Sequence, residues 1–255
     1  MHRDRDGPVT QLLSEPMNET IPEALSAAVA QDPTMPLVTF YDDASGDRTE
    51  LSGATLDNWV AKTANLFVDG AGLGSGDTAA VLLPPHWQTA AVLLGAWAAG
   101  LAADLGDPPE SVDVLFTTPD RVEAAAAWPA VDRYATGLLP LAAPLRSVPP
   151  GYADYVVEVR AFGDRYVPVQ AVTGSDAAIR GRVHAEVCEA AAARAADLGI
   201  GPGDRVLVDA RAYPDPVDWL LAPLVAGASL VLCANFDAGR QRSRSEAEKV
   251  TVTLT

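Results

Sequence analysis

Few residues of this chain combine the types and the spacing that chemistry needs. The best placed are Thr173, Gly174 and Ser175. With Asp176 they form a small polar loop between the apolar run Val169-Gln170-Ala171-Val172 and a segment that begins at Arg180. Read as strand, loop and helix, this layout turns helix N-terminal amides toward an anion, and it makes Thr173, Gly174 and Ser175 the candidate nucleotide-binding residues. A plain capping turn, with Ser175 or Asp176 as N-cap, accounts for the same residues, because the loop has one glycine, an acid in its middle and no lysine. Lysine is scarce throughout, with only Lys62 and Lys249.

His184 and Cys188 stand at i and i+4 on one helix, a spacing that could share a metal. A metal needs three or four ligands, and His2, His86 and Cys233 complete the histidines and cysteines of the chain. Both residues are therefore expected to pack within the helix, and no metal is expected. No Gly-x-Ser-x-Gly elbow is present, so a hydrolase triad has no support.

The elements that must position the loop are marked by an internal repeat. Gly72-Leu73-Gly74-Ser75-Gly76-Asp77 recurs 127 residues later as Gly199-Ile200-Gly201-Pro202-Gly203-Asp204, and Ala99-Gly100 recurs as Ala226-Gly227 at the same offset. The glycines follow a helix and precede a strand, the reverse of a phosphate cradle, so they are expected to shape helix ends and turns. Each copy reads helix, glycine turn, strand, Pro-containing loop, apolar helix, Ala-Gly, strand. Two such halves, about 37–118 and 165–235, predict a layered α/β fold: two parallel-type sheets with flanking helices, related as pseudo-symmetric halves.

Individual elements follow from periodicity and breakers. Strands are predicted at 37–41 and 49–51 around the turn 42–47, at 79–83 and at 112–116. A helix capped by Ser52 or Thr55 presents Leu56, Trp59, Val60, Thr63 and Phe67, and a second over 87–99 is apolar nearly all round and so buried. Segments 155–159 and 165–169 read as paired strands around Gly163-Asp164. A long helix carries Val183, Val187, Ala191, Ala195 and Leu198; helix and buried strand fill 219–236; 238–248 is a polar tail; and 250–254 is a last strand whose free edge would invite pairing. Residues 1–20 read as a frayed arm and 21–255 as one domain.

Charge narrows the partners. Against 34 Asp+Glu stand 18 Lys+Arg, for a net charge of −16, and so acidic a surface repels nucleic acid and anionic lipid. The N-terminus has no apolar run behind its charges, the apolar stretch 89–103 is too short to cross a bilayer, and 219–236 is interrupted by Pro223, Gly227, Ser229 and Asn235. Two cysteines in a chain this long suit a reducing compartment. A soluble, cytoplasmic protein is expected.

With these residues in place, the chain resembles the N-terminal domain of the adenylate-forming superfamily (acyl-CoA synthetases, luciferases and adenylation domains). The similar stretches are 39–66, Gly74-Ser75-Gly76-Asp77-Thr78-Ala79-Ala80-Val81-Leu82-Leu83-Pro84, 93–100 and 114–117. In the second half they are Gly201-Pro202-Gly203-Asp204-Arg205-Val206-Leu207, 221–232 and Phe236-Asp237, followed by Glu248-Lys249-Val250-Thr251. Within the superfamily the likeness is strongest to a short actinobacterial family that looks truncated, and the high Ala and Arg content fits a GC-rich source. The resemblance implies a layered fold with two pseudo-symmetric sheets.

The same resemblance implies a Thr/Ser/Gly-rich loop ending in Pro-Lys-Gly that wraps the ATP phosphates. Here the matching stretch is Thr173-Gly174-Ser175-Asp176-Ala177-Ala178-Ile179-Arg180-Gly181, in which only Thr173, Gly174 and Ser175 look like remnants. The family's later aromatic-Gly-x-Thr-Glu motif, ribose-binding Asp and C-terminal lid with its catalytic Lys have no counterpart in these residues. The expectation is a catalytically degenerate adenylate-forming-like domain that binds a small ligand or a protein and needs no cofactor, ATP or AMP with Mg²⁺ being what the family would use. Two alternatives stand beside it: an acyl-adenylating enzyme completed by another chain, and a structural subunit whose second half and tail dock on a partner, a second copy of itself included.

Overall fold

The computed structural model describes residues 19–106 and 109–255. Of the expected N-terminal arm, residues 1–18 lie outside the described residues, and Thr20 is buried. The Thr20 hydroxyl accepts from the Glu23 amide while the Glu23 carboxylate reaches back to the Thr20 amide, a capping box that starts α1 (Ile21–Gln31). The chain continues through β1 (Pro36–Asp42), β2 (Asp47–Ser52), α2 (Gly53–Asn65, prolonged by a π turn over Leu66–Gly70), β3 (Thr78–Leu82) and α3 (Trp87–Ala98). It then forms β4 (Ala102–Asp104), β5 (Val112–Thr117), α4 (Val122–Ala125), β6 (Ala130–Ala135), β7 (Ala153–Asp154) and α5 (Tyr155–Val159). The second half runs β8 (Ala177–Ile179), β9 (Arg182–Val183), α6 (His184–Asp197), β10 (Arg205–Asp209), α7 (Ala222–Val225, led by a π turn over Val217–Leu221), β11 (Ser229–Ala234), α8 (Ala238–Glu248) and β12 (Val252–Leu254).

Among the described residues these strands make two mixed, mostly parallel sheets, ordered β12-β10-β11-β1-β2 and β7-β6-β5-β3-β4-β8-β9. The expected α/β architecture is thus observed, and its symmetry is closer than the repeat alone required. In each sheet a strand–helix–strand unit from one half (β3-α3-β4 or β10-α7-β11) is extended by the hairpin of the other. β1 pairs parallel with β11 and turns antiparallel into β2; β8 pairs parallel with β4 and turns antiparallel into β9. Each half therefore lends its hairpin to its partner's sheet.

The repeated glycine turns share their backbone conformation. Gly72 and Gly199 have φ +70° and +71°, Gly76 and Gly203 +97° and +79°, and Gly100 and Gly227 +84° and +71°, all in the left-handed region. The Asp77 carboxylate accepts the Gly74 amide at 2.8 Å, and Asp204 accepts the Gly201 amide at 2.7 Å. These residues cap and turn, and the Gly74 and Gly201 amides are used within the turns.

One core joins the sheets through α2, α3, α6 and α7, with Trp97, Trp219 and Tyr155 among its largest buried side chains. Residues 87–97 of α3 are all buried, as their apolar run predicted. α2 and α3 meet at Gly95, where an added Cβ would lie 2.6 Å from the Thr63 Cβ, so glycine sets the interhelical distance. The Trp97 indole N–H donates to the Ala178 carbonyl at 2.6 Å and ties α3 to β8.

Several local expectations are corrected. Residues 155–159 form α5, because the Asp154 carboxylate accepts the Val156 and Val157 amides and starts a helix. Residues 165–169 pair with no strand among the described residues; Pro168 lacks the N–H that a ladder needs. Residues 169–172 are likewise coil, and Arg180 is not in a helix but in the turn between β8 and β9. The polar tail 238–248 is the helix α8, capped by Asp237, and β12 pairs parallel with β10 as an edge strand.

Candidate functional site

The loop Thr173–Asp176 is closed on itself. The Asp176 carboxylate accepts the Thr173 amide at 2.7 Å and the Thr173 hydroxyl at 3.1 Å, and the Thr173 and Ser175 hydroxyls lie 3.0 Å apart. The Asp176 amide in turn donates to the Thr173 carbonyl. The two Thr173 donors that could have faced a phosphate thus face a carboxylate of the same loop. The start of α6 rests on this loop: the His184 amide donates to the Asp176 carbonyl at 2.9 Å and the Ala185 amide to the Gly174 carbonyl at 3.0 Å. The pseudo-equivalent α2 is held the same way, the Gly53 and Ala54 amides donating to the carbonyls of Met35 and Pro33. Neither Ser175 nor Asp176 is the N-cap. Val183 holds that position, with its amide bonded to the Glu186 carboxylate.

The order of elements places the loop at the amino end of β8. Ligands of open α/β sheets sit at the carboxyl ends of the strands. At that end of β8 the chain has only the turn Arg180–Gly181, with Gly181 at φ +77°, before β9 and α6. The Arg180 guanidinium is paired with the carboxylate of Asp104, at the carboxyl end of the neighbouring β4, and lies 3.4 Å from Glu110. It also stands 5.6 Å from the centroid of the Trp128 ring.

Two cavities flank these features. At the amino ends of β3, β4 and β8 a cavity of about 500 Å³ is bounded by Gly74, Ser75, Gly100, Tyr166, Thr173 and Asp176. At the carboxyl ends of β3, β4 and β5 a smaller crevice of about 300 Å³ carries Thr117, Arg121 and Trp128. α3 and α4 pack on opposite faces of the sheet around β3 and β5, which makes this the point where the winding reverses. Arg121 is exposed there and donates to the Leu82 carbonyl at 3.2 Å. Sequence reasoning missed Asp104, Arg121 and Trp128, because their neighbourhood arises from strand order. The short strand β4 between Gly100 and Leu105 was the available signal.

The two histidine and cysteine candidates do not make a site. His184 and Cys188 are both buried, and no group of three metal-binding side chains occurs among the described residues. The His184 Nδ1 accepts the Ile21 amide at 3.3 Å, and burial holds its pKa down at about 4. His86 caps α3, its Nδ1 accepting the Gln88 amide at 3.0 Å. Burial pushes the Cys188 and Cys233 thiols up to about 11, so both are protonated at neutral pH. No helix of the described residues is long and apolar enough to cross a membrane.

Comparison with solved structures supports the architecture. An acyl-CoA synthetase from Brucella canis superposes with a TM-score of 0.69 at 21% identity, covering 90% of this chain and 46% of that one. The N-terminal domain of FACL13 from Mycobacterium tuberculosis superposes with a TM-score of 0.68 at 17% identity, covering 92% and 62%. The chain thus has the fold of the N-terminal domain of the adenylate-forming acyl-CoA synthetases and spans 62% or less of these structures. No protein-family model matches it. A TIGR03089 family protein of Mycobacterium tuberculosis is 42% identical over 247 residues, which cover 92% of this chain and 100% of that protein. With identity that high over nearly all of both chains, this chain belongs to the TIGR03089 family.

Proposed function

We propose that this chain keeps the adenylate-forming fold as a binding module and does not itself form acyl adenylates. The observation that carries this reading is the turn Arg180–Gly181. The resemblance implies a long phosphate-wrapping loop between a strand and a helix, and a two-residue turn with its one cation held by Asp104 is what joins β8 to β9 and α6. Thr173, Gly174 and Ser175 lie at the other end of β8, where the Asp176 carboxylate holds the amide and hydroxyl of Thr173. A triphosphate brought there would meet a fixed carboxylate, and its developing charge would gain none of the cationic stabilisation that phosphoryl chemistry relies on. These residues do not fit ATP and Mg²⁺, and no catalytic step is assigned to them.

The test is ATP–pyrophosphate exchange by the pure protein with short, medium and long carboxylic acids, alongside thermal stability with millimolar Mg-ATP and AMP. The reading expects no exchange with any acid and no stabilisation. A ligand at ~100 times its dissociation constant would add about 2.7 kcal/mol. Exchange above background, or a clear stabilisation by ATP, overturns the reading and supports an enzyme that adenylates on its own or with another chain.

A further inference from the structure

Beyond the loop and the turn, we propose that the groove between α1, α2, α3 and the strap formed by residues 164–168 is a binding site for a small ligand with an aliphatic body and a cationic head, of the alkylamine class. This deepens the binding-module reading and rests on it.

The groove has a volume of about 390 Å³, inside the ~300–1,000 Å³ range of small-molecule sites. Its floor is the apolar meeting of three helices, with Leu25 from α1, Val60 from α2 and Leu94 from α3. These residues are buried from bulk solvent, so the floor is dry and suits methylene groups.

The roof is the strap. It is fastened at its start by α2: the Lys62 ammonium donates to the Phe162 carbonyl at 2.6 Å, and the Asn65 amide donates to the carbonyls of Gly163 and Arg165, both at 2.9 Å. Tyr166 packs partly into the core and separates this groove from the cavity beside Thr173. Val167, next along, is 84% exposed and leaves the space beneath unfilled.

The head-group preference comes from the mouth, which is lined by Asp57, Asp164 and Arg165. Two carboxylates against one guanidinium leave it net negative, within a molecule of net charge −16. Asp57 is exposed at the rim of the groove, no hydrogen bond or ion pair reaches its carboxylate among the described residues, and desolvation by the neighbouring protein raises its pKa. An unpartnered carboxylate at the edge of an apolar groove can pair with a cation whose aliphatic body lies in that groove.

The test is calorimetric titration of the full chain with n-hexylamine, 1-hexanol and hexanoate at low salt, which share one apolar body and differ in the head group. The amine is expected to bind best and hexanoate worst. Asp57→Asn is expected to weaken the amine by about fivefold while leaving the alcohol unchanged. Ala98→Leu, which adds bulk at the groove wall, is expected to weaken all three. Hexanoate binding as tightly as the amine, an amine affinity indifferent to Asp57→Asn, or no binding by any of the three each overturns the proposal. ATP-dependent exchange in the preceding assay would overturn the binding-module reading without touching these titrations, so the two failures are distinguishable.

Discussion

Glu248, the last residue of α8, is the strongest single test of what holds the second half together. Its carboxylate is 9% exposed and accepts from the Tyr41 hydroxyl at 2.5 Å, from Arg48 at 2.9 and 3.1 Å, and from Arg205 at 2.6 Å, so that α8, β1, β2 and β10 meet on one side chain. Burial by itself would raise the carboxyl, but the hydrogen bonds from Tyr41, Arg205 and Arg48 outweigh it and hold the pKa at about 2 against an ordinary 4.5. At about 1.4 kcal/mol per unit of pKa, that gap is worth about 3 kcal/mol at neutral pH. Because the folded value is the lower one, the stabilisation is complete above the unfolded value of 4.5 and is lost as pH falls toward 2. About 1 kcal/mol should be gone by pH 4 and about 2 kcal/mol by pH 3. Glu248→Gln removes the charge and leaves two guanidiniums facing an amide, at a cost of about 3 kcal/mol. Urea unfolding of both proteins at pH 7 and pH 4 should show the variant less stable by that amount at pH 7, with the gap narrowed by about 1 kcal/mol at pH 4. A gap that is the same at both pH values, or below about 0.5 kcal/mol at pH 7, refutes the claim that this charge fastens α8.

Gly95→Ala should destabilise by about 1–2 kcal/mol, because the clash with the Thr63 Cβ at 2.6 Å outweighs the helix propensity gained; chemical denaturation measures it. Gly76→Ala and Gly203→Ala should each cost about 1 kcal/mol and by similar amounts, since both turns have positive φ and open space around the Cα, so matched unfolding curves check the equivalence of the halves. Neither Cys188 nor Cys233 should react with a thiol reagent at pH 8 in the native protein, and both should react in denaturant, because burial keeps the thiols protonated and covered.

The core elements were legible because their signals are local. The nearly all-apolar run of α3 reads as a buried helix, and it is buried from Trp87 to Trp97. A cap at Ser52 or Thr55 was legible because a hydroxyl beside an apolar helix pattern satisfies an orphan amide, and the structure selects Ser52, which accepts from the Thr55 amide. Where the reading failed, two local signals competed. Tyr155 to Val159 has the β-branched content of a strand, but Asp154 ahead of it supplies a helix cap and Asp154 prevails. Val169 to Val172 has strand composition too, yet no neighbouring strand offers it a ladder.

By itself the sequence determined the α/β class, the pairing of the two halves and the turn role of the repeated glycines, because helical period, strand period and left-handed glycine positions are properties of neighbouring residues. Only the tertiary structure decided that each half lends its hairpin to the other's sheet, since strand pairing depends on residues such as Val38 and Leu230 that are far apart in the chain. It also decided where the candidate loop lies. Thr173 to Ser175 look like a phosphate loop in one dimension, but folding puts them at the amino end of β8 and sets Arg180 against Asp104 at the other. Which end of a strand a loop occupies, and which carboxylate meets its cation, is settled by strand direction and sheet order, and neither is written in any short stretch of sequence.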